Sequence, residues 1–139
     1  MMDALDNLVK IHKLHREAFD QREFDGMLRA AKIRLTDANL EGLSKESQFS
    51  LAYAAAHALS LAALRFHGYR SDNRYLVFQC LQHTVGFSNA QWRVLDRCHK
   101  TRNLAEYEGH IDINDALLAE LIKLTNLLFV KVNQLEVGE

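Results

Sequence analysis

Apolar residues recur at helical spacing along most of the chain, and capping residues and glycines divide this pattern into five or six segments. In the second segment, Phe24, Leu28, Ala31 and Leu35 follow one another at i, i+4, i+7 and i+11, which places them on one face of a helix. The predicted helices run from Asp3 to Phe19, from Arg22 to Ala38, from Ser44 to Phe66, from Ser71 or Asp72 to about Thr84, from Ser88 to between Tyr107 and Gly109, and from Asp112 or Asn114 onward.

The segment from Ser44 to Phe66 is the longest apolar one, and it is rich in alanine. Small side chains let neighbouring helices approach on several sides, so we predict that this is the central helix of a bundle. A semi-polar line remains along it, formed by Tyr53, His57, Ser60 and then His67. We predict an all-α fold, an antiparallel four-helix bundle with one or two accessory helices, in a single domain over residues 1–139.

The composition is that of a soluble globular protein. Of the 139 residues, 48% are hydrophobic and 25% charged, and there is no proline, which favours long uninterrupted helices. Cys80 and Cys98 lack metal-type spacing and are predicted to be buried thiols in a reducing compartment. The N-terminus lacks a signal-peptide pattern, and the apolar stretch from Leu51 to Leu64 is short and interrupted. We therefore expect a cytoplasmic protein that does not bind a membrane.

Charge is unevenly distributed, although the net charge is only −1. Between Arg65 and Arg102, seven Lys or Arg residues face two Asp residues, a local balance of +5; between Asn103 and Glu139, seven acidic residues face two lysines, a balance of −5. The basic stretch could attract nucleic acid. It could equally pair with the acidic C-terminal part of its own chain or of a second copy, and we prefer this second interpretation.

The fifth predicted helix carries an unusual density of polar groups. A weakly apolar stripe of Val94, Cys98, Thr101 and Ala105 runs along one side. Arg102 and Tyr107 lie about 140° apart around the axis and about 7.5 Å apart along it, so they can flank a cleft. A solvated face with pairs at i, i+4 is the plainer alternative. The polar face comprises Asp96, His99, Arg102, Asn103, Glu106 and Tyr107.

Part of this helix resembles a known family signature. Arg102-Asn103-Leu104-Ala105-Glu106-Tyr107 is similar to the Arg-Asn-x-x-x-His/Tyr signature of the HEPN superfamily (higher eukaryotes and prokaryotes nucleotide-binding). The run from Phe49 to Arg70, with its Ala-Tyr-Ala-Ala-Ala-His core, resembles a bacterial branch, and the likeness extends over about residues 22–107. The resemblance implies a helical bundle that often dimerises through its signature helices, and in active members an Arg and a His that cleave RNA without metal.

Carried over by position, Arg102 matches the family's arginine, Asn103 the polar residue that follows it, and Tyr107 the catalytic histidine. A phenol with an ordinary pKa of ~10 is a poorer proton shuttle at neutral pH than an imidazole with a pKa of ~6.5. His110 stands too far beyond Arg102 for the pattern. We therefore expect enzyme activity to be absent or weak.

Three hypotheses for function follow. The first is a homodimeric binding module for nucleic acid or nucleotide that lacks the catalytic histidine. The others are a metal-independent endoribonuclease of toxin–antitoxin type, with Arg102 and Tyr107 as its pair and a nucleotidyltransferase as partner, and a homodimeric protein-interaction module. No cofactor or metal is expected, because the histidines lack ligand spacing. The first hypothesis assigns phosphate binding to Arg70, Arg74, Arg97, Lys100, Arg102 and Asn103, beside a polar cleft of Asp96, His99 and Glu106.

Overall fold

A computed structural model describes residues 3–109 and 113–135. The described chain is predominantly helical, which confirms the all-α prediction, and one short antiparallel strand pair joins His15 to Arg70 and Arg16 to Tyr69. The elements, in chain order, are α1 (Asp3–Lys10), β1 (His15–Arg16), α2 (Gln21–Ala38), α3 (Lys45–Phe66), β2 (Tyr69–Arg70), α4 (Arg74–Gln79), α5 (Leu81–Thr84), α6 (Asn89–Glu108) and α7 (Asp115–Asn133).

Helix α3 occupies the centre of the molecule and packs against α2, α4, α6 and α7. Its alanines at 52, 55, 56, 62 and 63 are fully buried, as the small-residue pattern predicts. With 22 residues, and a mean hydropathy of 1.3 over its most apolar 18-residue window, α3 is long and apolar enough to cross a membrane by length and composition. In this fold, however, 61% of its most apolar window is buried inside the protein, so its apolar surface serves the core.

Several predicted helix ends are confirmed by their capping contacts. The side chain of Ser44 accepts a hydrogen bond from the Ser47 amide at the start of α3. Ser88 and Gln91 form a reciprocal capping box at the start of α6, which ends at Gly109 in a left-handed conformation (φ 76°). Asn114 caps α7. The alternative start at residue 112 lies outside the described residues.

The first predicted helix is too long. Helix α1 ends at Lys10, and His12 adopts a left-handed conformation (φ 62°), which turns the chain away from the helix axis. Beyond this turn, Leu14 is buried in a second apolar cluster and the backbone pairs with β2. The helical spacing of apolar residues therefore extends beyond the end of α1, and the spacing alone does not indicate the backbone turn at His12.

The fourth predicted helix starts later and is divided in two. Asn73, rather than Ser71 or Asp72, caps α4 by accepting a hydrogen bond from the Leu76 amide. At Cys80 the backbone tightens (φ −67°, ψ −13°), and the His83 amide bonds to the Cys80 carbonyl three residues back. This turn separates α4 from α5. The buried-thiol prediction holds for Cys80, whose burial raises its pKa to about 12.

Candidate functional site

Helices α2, α3, α4 and α6 meet around an open pocket of about 300 Å³, hereafter the anion pocket. Arg34 comes from α2, Arg74 is the first residue of α4, and Arg102 lies in the second half of α6. None of the described residues that line the pocket carries a carboxylate. The lining consists of Arg34, Ser50, Tyr53, Ala54, His57, Ala58, Arg74 and Arg102.

The three guanidinium groups are weakly neutralised by the protein. Within the described part of the chain, neither Arg34 nor Arg74 forms an ion pair, and Arg102 has one partner, Glu106, at 3.4 Å on the exposed side of α6. Exposed pairs of this kind contribute little energy because solvent screens them. The pocket is therefore a concentration of positive charge that the fold does not compensate.

The side chain of Tyr53 contacts two of the three arginines. Its ring is almost completely buried, and the Arg74 and Arg102 guanidinium carbons lie 5.6 and 5.5 Å from the ring centroid, within cation–π range. Arg74 Nη1 donates to the Tyr53 hydroxyl at 3.1 Å. Tyr53 thus positions two of the three arginines through its ring and its oxygen, and α3 supplies it from the rigid centre of the fold.

A hydrogen-bonded chain extends from this tyrosine to α6. His99 Nδ1 lies 3.0 Å from the Tyr53 hydroxyl, and His99 Nε2 lies 3.3 Å from Asn103 Nδ2. With the Asn103 amide donating to Nε2, the ring proton of His99 resides on Nδ1 and is donated to Tyr53. The Tyr53 oxygen then accepts from both His99 and Arg74, so its own hydrogen remains available to a ligand in the pocket.

His57 is the titratable group that sequence analysis missed. Its ring lines the pocket and forms no hydrogen bond with any residue that the structure describes. Burial, followed by electrostatic interactions with Arg74, His99 and Arg102, lowers its pKa to about 4. At neutral pH this imidazole is uncharged and can accept a hydrogen bond from a ligand. The available signal was the semi-polar line along the central helix, which places His57 one turn after Tyr53.

The residues predicted on α6 separate into several environments. Arg102 lines the anion pocket, and Asn103 reaches it through His99. Asp96, predicted on the polar face, is instead buried with 6% exposure, whereas Tyr107 is 92% exposed and does not line the pocket. Glu106 is exposed beside Arg102, and Arg97 and Lys100 line a neighbouring groove against α4. His110 lies outside the described residues.

Arg70 belongs to a different cluster. Its guanidinium binds Glu17 at 2.8 Å and Glu23 at 2.6 Å. Arg65, only 1% exposed, also binds Glu23, at 2.5 Å, and donates to the backbone carbonyls of Glu17 and Ala18. Two charges of the basic stretch are thus neutralised within the chain, but by Glu17 and Glu23 near its N-terminus. The acidic C-terminal part, which we expected as their partner, does not supply these contacts.

Within the two described ranges, no three His, Cys, Asp or Glu residues are grouped so that they could hold a metal ion. The side chains that line the anion pocket present guanidinium, imidazole, phenol and hydroxyl groups. Comparison of the chain with protein-family models, with curated proteins and with solved structures found no match.

Proposed function

We propose that this chain is a cytoplasmic binding module for nucleic acid or nucleotide, and that the anion pocket holds a phosphate group of the ligand. The observation that carries the proposal is the convergence of Arg34, Arg74 and Arg102, from three helices, on a pocket whose described lining residues include no carboxylate. Planar guanidinium groups bind the oxygens of phosphates and carboxylates in pairs, and the larger number of oxygens and the higher charge of a phosphate suit three arginines better than the two oxygens and single charge of a carboxylate.

The other groups of the pocket support phosphate binding. Neutral His57 adds no repulsion to the three cations, and the Tyr53 hydroxyl offers a donor alongside them. Partial burial strengthens charge-assisted hydrogen bonds, because the effective dielectric constant is lower than in water. A phosphate would also relieve the mutual repulsion of the arginines. Binding should thus stabilise the fold as well as the complex.

The HEPN resemblance agrees with this position of the site. Arg102 and Asn103, the first two residues of the signature-like segment, both belong to the pocket or to its hydrogen-bonded chain. Tyr107, which takes the place of the family's histidine, extends into solvent. We include in the proposal a HEPN-like four-helix arrangement and a homodimer, and we place binding ahead of catalysis because Tyr107 does not line the anion pocket.

The test is a titration of fluorescently labelled single-stranded RNA by anisotropy at low and at moderate salt. Arg74→Gln and Arg102→Gln should each weaken binding about tenfold at low salt, because each removes a charged phosphate contact. Arg22→Gln is the matched control, since residue 22 is exposed and lies about 18 Å along α2 from residue 34. Absence of binding at low salt, or equal losses in all three variants, would overturn the proposal.

A second candidate function is a metal-independent endoribonuclease, and His57 is the observation that favours it. An uncharged, unbonded imidazole beside Arg74 and Arg102 can take the proton of a ribose 2′-hydroxyl as that oxygen attacks the phosphorus, and can return the proton to the departing 5′-oxygen, while the arginines bind the phosphate. Its lowered pKa makes it a weaker base than a free imidazole, which is a further reason to place binding ahead of catalysis. Cleavage should persist in a chelator and should disappear in His57→Ala and Arg102→Ala. Purified protein that binds RNA and leaves it intact would refute this candidate and leave the binding proposal standing.

A further inference from the structure

A second concave surface, hereafter the aromatic groove, lies between α4 and α6 and encloses about 380 Å³. It adjoins the anion pocket through consecutive residues: Arg74 lines the pocket and Tyr75 the groove. On α6, His99 belongs to the hydrogen-bonded chain and Lys100 to the groove. The groove is lined by Tyr75, Trp92, Arg93, Asp96, Arg97 and Lys100.

The groove has an aromatic wall with one accessible ring. Trp92 is 3% exposed, its indole N–H donates to Asn89, and Arg93 covers its ring at 5.4 Å. Tyr75 meets Trp92 edge to face, with centroids 5.7 Å apart, and is 44% exposed. A large aromatic side chain held in place on one side and open on the other is a stacking platform for a planar ring.

The floor of the groove contains an unsatisfied acceptor. Asp96 is 6% exposed; its Oδ2 binds Lys100 at 3.0 Å, and its Oδ1 has no hydrogen-bond partner in the part of the chain that the structure describes. A buried acceptor without a donor is costly. Asp96 lines the groove beside Lys100, whose side chain is 73% exposed, so a ligand N–H group that binds in the groove can supply the missing donor.

We propose that the aromatic groove binds the nucleobase of the nucleotide or single strand whose phosphate occupies the anion pocket. The ring stacks on Tyr75, an N–H group on its edge donates to Asp96, and Arg97 and Lys100 contact flanking phosphates. This inference rests on the proposed function and extends it, since it names the ligand as a base-bearing, unpaired nucleic acid or a nucleotide rather than a phosphate alone. A base inside a duplex has both faces stacked and cannot reach Tyr75.

The single tryptophan of the chain makes the groove directly observable. Trp92 fluorescence emission is recorded while the protein is titrated with a single-stranded RNA of ten nucleotides. A second titration uses an abasic oligomer with the same number of phosphates. The RNA should quench Trp92 and bind about tenfold more tightly than the abasic oligomer, because stacking adds to the phosphate contacts. Tyr75→Ala should remove that difference, whereas Tyr107→Ala, a change of an equally aromatic but solvent-exposed residue, should preserve it.

The possible failures distinguish the two proposals. Equal affinity for both oligomers with unchanged Trp92 emission would overturn the base subsite and leave the anion pocket intact. Failure of both oligomers to bind would overturn the proposed function together with the subsite. Arg74→Gln should weaken both oligomers by a similar factor, and an effect on the RNA alone would contradict the assignment of phosphate to the anion pocket.

Discussion

Replacing Arg65 by Met should destabilise the protein strongly without affecting ligand binding. Arg65 is 1% exposed and makes an ion pair with Glu23 and hydrogen bonds to the carbonyls of Glu17 and Ala18. Methionine fills much of the volume but supplies no donor, so the carbonyls of Glu17 and Ala18 lose the Arg65 donor, and Glu23 loses one of its two arginine contacts. Removing one partner of a buried ion pair costs about 3–5 kcal/mol.

The lower end of that range applies here, because Glu23 keeps its contact with Arg70 at 2.6 Å and its side chain is 32% exposed. We therefore expect the free energy of unfolding to fall by about 3 kcal/mol, which corresponds to a midpoint roughly 10 °C lower for a chain of this size. Urea titration and calorimetry measure both quantities. Arg70→Met is the matched control and should cost less than about 1 kcal/mol, because Arg70 is partly exposed and screened.

RNA binding by the same variant distinguishes arginines that stabilise the fold from arginines that bind the ligand. At temperatures below its unfolding midpoint, the Arg65→Met protein should still bind single-stranded RNA with unchanged affinity, since Arg65 does not line the anion pocket. A loss of stability below about 1 kcal/mol would refute the reasoning on buried contacts. A tenfold loss of binding in the folded variant would show that the division of the basic stretch into two clusters is wrong.

Three further predictions concern the pocket and its surroundings. Tyr53→Phe retains the ring but removes the hydroxyl that contacts Arg74 and His99. The variant should lose about 1–2 kcal/mol in the free energy of unfolding, measured by urea titration, and should bind RNA more weakly. Unchanged stability and binding would contradict the role of Tyr53 in positioning the arginines. His57 has a pKa lowered from 6.5 to about 4, so below pH 6.5 protonation favours the unfolded state, and stability should be lost as pH falls toward 4. Between pH 7 and pH 4.5, the free energy of unfolding of the wild type should fall by about 2 kcal/mol more than that of His57→Asn, after allowance for solvent screening. Parallel profiles of unfolding free energy against pH for the two proteins would refute this. Tyr107→Ala should change the free energy of unfolding by less than about 0.5 kcal/mol and leave RNA binding unchanged, because Tyr107 is 92% exposed. A measurable loss of binding would show that Tyr107 contributes to the binding site.

Much of the helical pattern could be predicted from the sequence, because the signals are local. The Ser44 and Ser88 caps and the glycine at 109 act within one turn of their own position. The end of α1 depended on contacts made elsewhere: Leu14 enters an apolar cluster and its neighbours pair with β2, more than fifty residues along the chain. Such long-range pairing leaves no periodic signal in one segment.

The site was predictable only in part for the same reason. Arg102 and Asn103 could be assigned because they share one helix and a recognisable short motif. The assembly of Arg34, His57 and Arg74 around them depends on how α2, α3 and α4 pack. Charge counting along the chain likewise grouped arginines that the fold separates, since Arg65 is neutralised in the interior while Arg74 faces an open pocket.

The salt dependence of single-stranded RNA binding tests the anion pocket most directly. The affinity of the wild type and of the Arg74→Gln/Arg102→Gln double variant is measured over a series of salt concentrations. Each phosphate contact contributes about 0.7 to the slope of log K against log salt for single strands, so the double variant should show a slope smaller in magnitude by about 1.4. Equal slopes for the two proteins would show that Arg74 and Arg102 do not contact phosphate and would contradict the account.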